Sequence, residues 1–121
     1  MKYFIFFVIA LLFIGCQKDN QTTPQSKQML IIEQDYNKVK SIALQENKLL
    51  FIDFYTTWCA PCKKLDKLVF QDDSIRNILR ENFVMLKYDA ENDTVFHLSK
   101  KHHIGSYPTG MILNKEGFVL N

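Results

Sequence analysis

Trp58-Cys59-Ala60-Pro61-Cys62-Lys63 is the stretch on which the reading of this chain turns. Two cysteines with two residues between them can close a small disulfide ring or present two thiols. Such a pair can pass two electrons to and from other cysteines. On its N-terminal side lies Leu49-Leu50-Phe51-Ile52-Asp53-Phe54-Tyr55, almost continuously apolar, the pattern of a central strand covered on both faces. On its C-terminal side Lys63, Lys64, Leu65, Leu68 and Val69 form a helical pattern. Cys59 is therefore expected at a strand end and a helix start, where free backbone N–H groups and the helix dipole favour a thiolate. Free cysteine ionises near pH ~8.5, and such a position lowers that to ~7 or below. Pro61 falls early in the helix, where its missing N–H costs little and its fixed φ stiffens the turn. Ala60 adds neither donor nor charge.

Further out, Met29–Ile32 is expected as a first strand and Asp35–Asn47 as a helix with Tyr36, Val39, Ile42 and Ala43 at helical spacing. The redox helix should break near Phe70-Gln71. Asp72 or Asp73 then caps a segment whose Ile75, Ile78 and Leu79 face inward. Phe83–Tyr88 reads as a strand, and Asp93 as the cap of a helix from Thr94 to about His102 with Val95, Phe96 and Leu98 partly buried. Gly110–Leu113 and Phe118–Leu120 read as a hairpin around Asn114-Lys115-Glu116-Gly117. The pattern is α/β, a mixed central sheet with helices on both faces.

Three features in order resemble the thioredoxin superfamily over roughly residues 29–121: the Cys59/Cys62 motif, Asp53 inside the preceding strand, and Tyr107-Pro108-Thr109. Within it, Lys67–Asp72 and Asn82–Asp89 are similar to the C-terminal periplasmic domain of DsbD-type thiol:disulfide interchange proteins. The resemblance implies that Pro108 is cis, that Tyr107 offers its backbone to an extended substrate, and that Asp53 lies beneath Cys62 and relays its proton. Asp53 in solvent at a sheet edge is the alternative, which its apolar neighbours oppose. Lys87, on the neighbouring strand, either sets the charge of Asp53 or is solvated. Trp58 either covers the disulfide or packs in the core. Cys59, at the exposed helix start, is expected to attack a partner disulfide. Cys62, one turn further in and shielded, is expected to resolve the mixed disulfide. The Ala-Pro spacer resembles reducing members of the family.

Two lines of chemistry compete with this. Cys59 and Cys62 make half a zinc site that His97, His102 or His103 would have to complete, but no second C-x-x-C exists and the histidines fall at a polar helix end. A non-catalytic thioredoxin-fold module that binds clients or a partner is the other. The 121 residues suit one core, and a hydrophobic fraction of 47% with a formal charge of +2 carries no basic patch of nucleic-acid size. No cofactor beyond the dithiol is expected. The expected partners are protein disulfides and a membrane electron donor that re-reduces the pair, with the chain a monomer.

The N-terminus reads as a leader. Lys2 precedes an apolar run, Tyr3–Ile14, too short to span a bilayer comfortably. Gly15-Cys16 resembles a bacterial lipobox, with Phe13 where leucine is usual. Residues 1–15 are then a lipoprotein-type signal, and Cys16 carries lipid; an uncleaved signal anchor is the alternative. Either places the domain in the bacterial cell envelope, on the periplasmic side of a membrane. Residues 16–28 form a polar tether, reaching about 40 Å from Gln17 to Gln28 when extended at ~3.3–3.6 Å per residue. At the other end, the family's last strand is followed by a helix, whereas this sequence stops at Phe118-Val119-Leu120-Asn121. The expectation is a domain short of its C-terminal helix, with one sheet face bare unless Asp35–Asn47 or a partner covers it.

Overall fold

The computed structural model describes residues 31–120. The expected signal, the lipidated Cys16 and the tether lie outside the described residues. The elements run β1 (Ile31–Glu33), α1 (Tyr36–Glu46), β2 (Leu49–Tyr55), α2 (Ala60–Leu68), α3 (Asp73–Asn82), β3 (Phe83–Asp89), a 3-10 turn (Ala90–Asn92), α4 (Leu98–Lys101) and β4 (Thr109–Leu113). One sheet has the order β1-β3-β2-β4. β1 and β2 flank β3 in parallel, and β4 is antiparallel to β2.

Local chemistry sets the boundaries. The Asp35 carboxylate accepts from the Lys38 N–H at the start of α1, and Asn47 closes that helix in the left-handed region at φ 53°. Asp72, rather than Asp73, caps α3 by accepting from the Ser74 and Ile75 N–H groups. β2 occupies the predicted span, and β3 runs one residue longer than expected.

The two faces of the sheet differ. Leu50, Ile52 and Phe54 of β2, Val84, Leu86 and Tyr88 of β3, Ile32 of β1 and Leu113 of β4 share one face and are buried against Val39 and Ala43 of α1 and Leu98 of α4. Burying each large aliphatic side chain contributes roughly 1.5–3 kcal/mol. The opposite face carries Phe51, Asp53 and Tyr55 beside Met85 and Lys87. There Phe51 meets Phe70 and Phe83 edge to face, and Lys87 is bonded to Asp66 of α2. Helices thus lie on both faces.

Several expectations are corrected. Among the described residues β1 is Ile31–Glu33, paired with Met85, Leu86 and Lys87 of β3, so the strand runs one residue past the expected Ile32, while Met29 and Leu30 lie outside the described residues. Ile78 is exposed, on the outer side of α3. No helix runs from Thr94: Val95 is 73% exposed, His97 takes a positive φ, and α4 begins only at Leu98. Asp93 does cap, but its carboxylate accepts from the Leu98 and Ser99 N–H groups and from the Tyr88 hydroxyl. The chain between is thereby looped out. The second arm of the hairpin is a single bridge, Leu113 to Val119, with the Leu120 N–H donating to the Ile112 carbonyl. Gly117, at φ 95°, lets this turn lie on α1, since a Cβ there would stand 2.7 Å from the Tyr36 hydroxyl.

Candidate active site

Antiparallel pairing of Phe54 with Thr109 brings the loop after β2 and the loop before β4 to the same edge of the sheet. Cys59 ends the first loop as the N-cap of α2, in extended conformation, with Pro61 in the helix's first turn. Its sulfur is bonded to that of Cys62, three residues on. The Cys62 N–H donates to the Cys59 Sγ at 3.1 Å. Such a donor at a helix N-terminus stabilises negative charge on that sulfur once the bond is opened. Both cysteines are only 2% exposed. The expected contrast, Cys59 open and Cys62 shielded, is therefore absent in the disulfide form. With both sulfurs buried, the helix-cap position is what distinguishes them.

Trp58 is 68% exposed, which rules out a core-packing role. Its ring meets that of Tyr107 edge to face at 6.3 Å, so the two loops touch through aromatic side chains beside the disulfide. The Tyr107–Pro108 peptide is cis.

Sequence reasoning missed Glu91. One of its carboxylate oxygens accepts from the Thr57 N–H (3.0 Å) and hydroxyl (2.8 Å), the other from the Trp58 indole N–H (2.9 Å). The Thr57 hydroxyl and N–H, with Trp58, hold the Glu91 carboxyl below its ordinary range. Glu91 thus ties the turn after β3 to the residues just before Cys59. No local signal marks it, because its partners lie more than thirty residues away.

Asp53 sits on the face covered by α2 and is 1% exposed, so the solvent-edge alternative fails. Its Oδ2 accepts from the Lys87 Nζ at 2.6 Å, while Oδ1 is buried without a hydrogen-bond partner among the described residues. Burial pushes its pKa up; the Lys87 hydrogen bond and charge oppose this and Asp66 adds to it, leaving the carboxyl raised. Lys87 is not solvated. Its ammonium bonds Asp53 and, at 2.5 Å, Asp66, one turn beyond Cys62 on α2. Burial lowers its pKa, but the hydrogen bonds and charges of the two carboxylates outweigh that and leave it raised. Asp66 was also missed, although its i+4 spacing from Cys62 was a readable signal.

Among the described residues no group of three or more His, Cys, Asp or Glu side chains could hold a metal ion. His97 donates through Nδ1 to the Asp93 carbonyl at 2.9 Å.

A family model described as thioredoxin-like matches residues 31–115, most of the chain and all of the site. The chain belongs to the thioredoxin-like family. Among its relatives, Thioredoxin-1 of Drosophila melanogaster is 33% identical over 81 residues, 67% of this chain and 69% of that protein. The thiol:disulfide interchange protein DsbD of Yersinia pestis is 30% identical over 78 residues, 63% of this chain but only 13% of that longer protein. A solved Bacteroides thetaiotaomicron structure, described as a candidate disulphide-isomerase, superposes with a TM-score of 0.66 at 38% identity, covering 76% of each chain. This thioredoxin-like protein therefore has the fold and the paired cysteines of a disulfide oxidoreductase, arranged, among the described residues, on a four-stranded mixed sheet with four helices.

Proposed function

We propose that the protein is a membrane-tethered, extracytoplasmic thiol:disulfide oxidoreductase that reduces protein disulfides through Cys59 and Cys62. The observation that carries this reading is the placement of the Cys59 sulfur at the N-cap of α2, with the Cys62 N–H aimed at it. In the reduced form the Cys59 thiolate attacks a substrate disulfide. Its sulfur bonds one substrate sulfur, the substrate S–S bond breaks, and the other substrate sulfur leaves as thiolate. The Cys62 thiol then gives its proton to the Asp53 carboxylate, whose Oδ1 is free to take it. The Cys62 thiolate attacks the Cys59 sulfur, the internal disulfide forms, and the second substrate thiolate departs. Two electrons pass to the substrate. Trp58, Tyr107 and Pro108 form the surface that receives the substrate segment beside the sulfurs.

The pair must then be reduced again. A membrane electron donor that delivers two electrons by dithiol exchange fits the similarity to DsbD, and the chain needs no further cofactor. Lipid on Cys16 holds the domain, as a monomer, on the periplasmic side of a bacterial membrane.

Insulin reduction tests the reaction. The wild-type chain should precipitate insulin B chains in the presence of a small-thiol reductant, and Cys59→Ser should be inactive. Equal rates for the two would refute the reading. In the reduced protein, brief alkylation at neutral pH should mark Cys59 before Cys62, since only the capping sulfur gains the N–H donor. For the anchor, labelled fatty acid should enter the wild type and not Cys16→Ala.

A further inference from the structure

Lys87 serves two carboxylates at once. Its Nζ lies 2.6 Å from Asp53 Oδ2 and 2.5 Å from Asp66 Oδ1. Asp53 comes from the buried middle of β2. Asp66 comes from α2, its side chain 44% exposed. The rings of Tyr55 and Phe70 flank the ammonium at 4.7 and 5.6 Å from their centroids. The other ionisable side chains that the strands bring to this face are Tyr55, Glu33 (opposite Lys87 in the β1–β3 register) and Asp89 (opposite Tyr55). Glu33 and Asp89 both act on the Tyr55 hydroxyl, whose pKa is raised first by burial and then by these charges. The ion pairs of Lys87 among the described residues are with Asp53 and Asp66.

One ammonium cannot compensate two carboxylates fully, so the cluster of three carries a net negative charge when both are ionised and is neutral when Asp53 holds a proton. We infer that Asp66 is a positioning residue of the redox site: by claiming part of the Lys87 charge it keeps Asp53 ready to hold a proton, and so sets the pH range in which Asp53 relieves Cys62 of its own. The inference deepens the proposed reaction and rests on it for the role of Asp53. Two effects act in one direction. Asp66 repels negative charge on Asp53 through space, and it draws the ammonium away from Oδ2. Removing its charge leaves Lys87 wholly to Asp53 and favours the Asp53 carboxylate. Asp66→Asn keeps the size of the side chain but weakens a part-buried bond to Lys87, so its effect on Asp53 is read by NMR in the folded chain, apart from any change in unfolding.

The test is carboxyl-carbon NMR of Asp53 across pH in the full chain, reduced and oxidised, for wild type, Asp66→Asn and Asp66→Glu. Asp66→Asn should lower the Asp53 midpoint by roughly half a unit to one unit. The pH profile for release of a Cys59 mixed disulfide should move down by a similar amount. Asp66→Glu should restore both toward wild type. An Asp53 midpoint unchanged in Asp66→Asn overturns the inference, as does a Glu variant that behaves like Asn. The titration needs no turnover. A chain that reduces no disulfide therefore refutes the proposed reaction, while the Asp53 midpoint still decides how Lys87 is shared.

Discussion

The two faces of the central sheet are built from alternate residues of the same strands, yet they obey different chemistry. Leu50, Ile52 and Phe54 point to one side, into an apolar core under α1 and α4; Phe51, Asp53 and Tyr55 point to the other, where β2 and β3 bring Asp53 beside Lys87. The first face is held mainly by burial, with the Tyr88 hydroxyl bonded to Asp93 at its edge. The second gives up apolar area for a three-charge cluster under the redox helix, where each charge needs its partner. A single strand thus contributes stability through its even residues and proton chemistry through its odd ones. This follows from the two-residue period of a strand, which lets neighbouring positions evolve under separate demands.

Substitutions on each face should separate these demands. The largest effect is expected on the apolar side. Leu86→Ala should cost about 2–5 kcal/mol in denaturant unfolding while leaving reductase activity per folded molecule unchanged. A cost below about 1 kcal/mol would mean that this face is not the core. Across the sheet, Lys87→Met should do the reverse in kind. It removes the hydrogen bond and charge that hold the Asp53 pKa down, so the Asp53 midpoint should climb by roughly one to two units, readable by NMR titration. A downward or absent shift would show that Lys87 does not serve Asp53.

A smaller effect is expected for Asp53→Asn in the oxidised protein. The folded Asp53 pKa is raised above the ordinary 3.8, so the wild type loses stability from this group as pH rises from about 4 through the folded value. The Asn variant lacks that loss. Its stability relative to wild type should therefore increase with pH over that window, at no more than about 1.4 kcal/mol per pH unit, the limit for one proton. A difference that is flat with pH would contradict the raised pKa. Glu91→Gln is expected to do least: thermal unfolding should scarcely move, while the Trp58 indole N–H should exchange with solvent faster. Unchanged exchange would remove Glu91 from any part in holding Trp58.

The same face distinction explains what could be read from the sequence. β2, the capped starts of α1 and α3, the cysteine pair and its place at a helix start were all legible, because each depends on residues within a few positions of one another. Asp53 was legible as a charge in an apolar run. Its partners were less so. Whether Lys87 was solvated depended on the β2–β3 register, which sets it opposite Asp53 across 34 residues. Glu91 reaches Thr57 over the same distance. The helix expected from Thr94 failed for a related reason. Asp93 is a capping residue in both readings, but the sequence does not say which N–H groups it captures, and here they are five and six residues on. Local signals set the elements, and long-range pairs complete the site.

The antiparallel seam between β2 and β4 also orders the making of this protein in time. The residues of the disulfide ring are three apart, whereas Phe54 meets Thr109 only when the chain has run 55 residues further. At translation speeds of ~5–20 residues per second, Cys62 is synthesised roughly 2–9 s before Pro108. During that interval the two sulfurs lack the Tyr107–Pro108 loop that later flanks them, and Cys16 is already present as a third thiol. Nascent chains arrested before and after residue 109 should then differ in how readily Cys59 is trapped by an added disulfide. Equal trapping would show that β4 plays no part in guarding the pair.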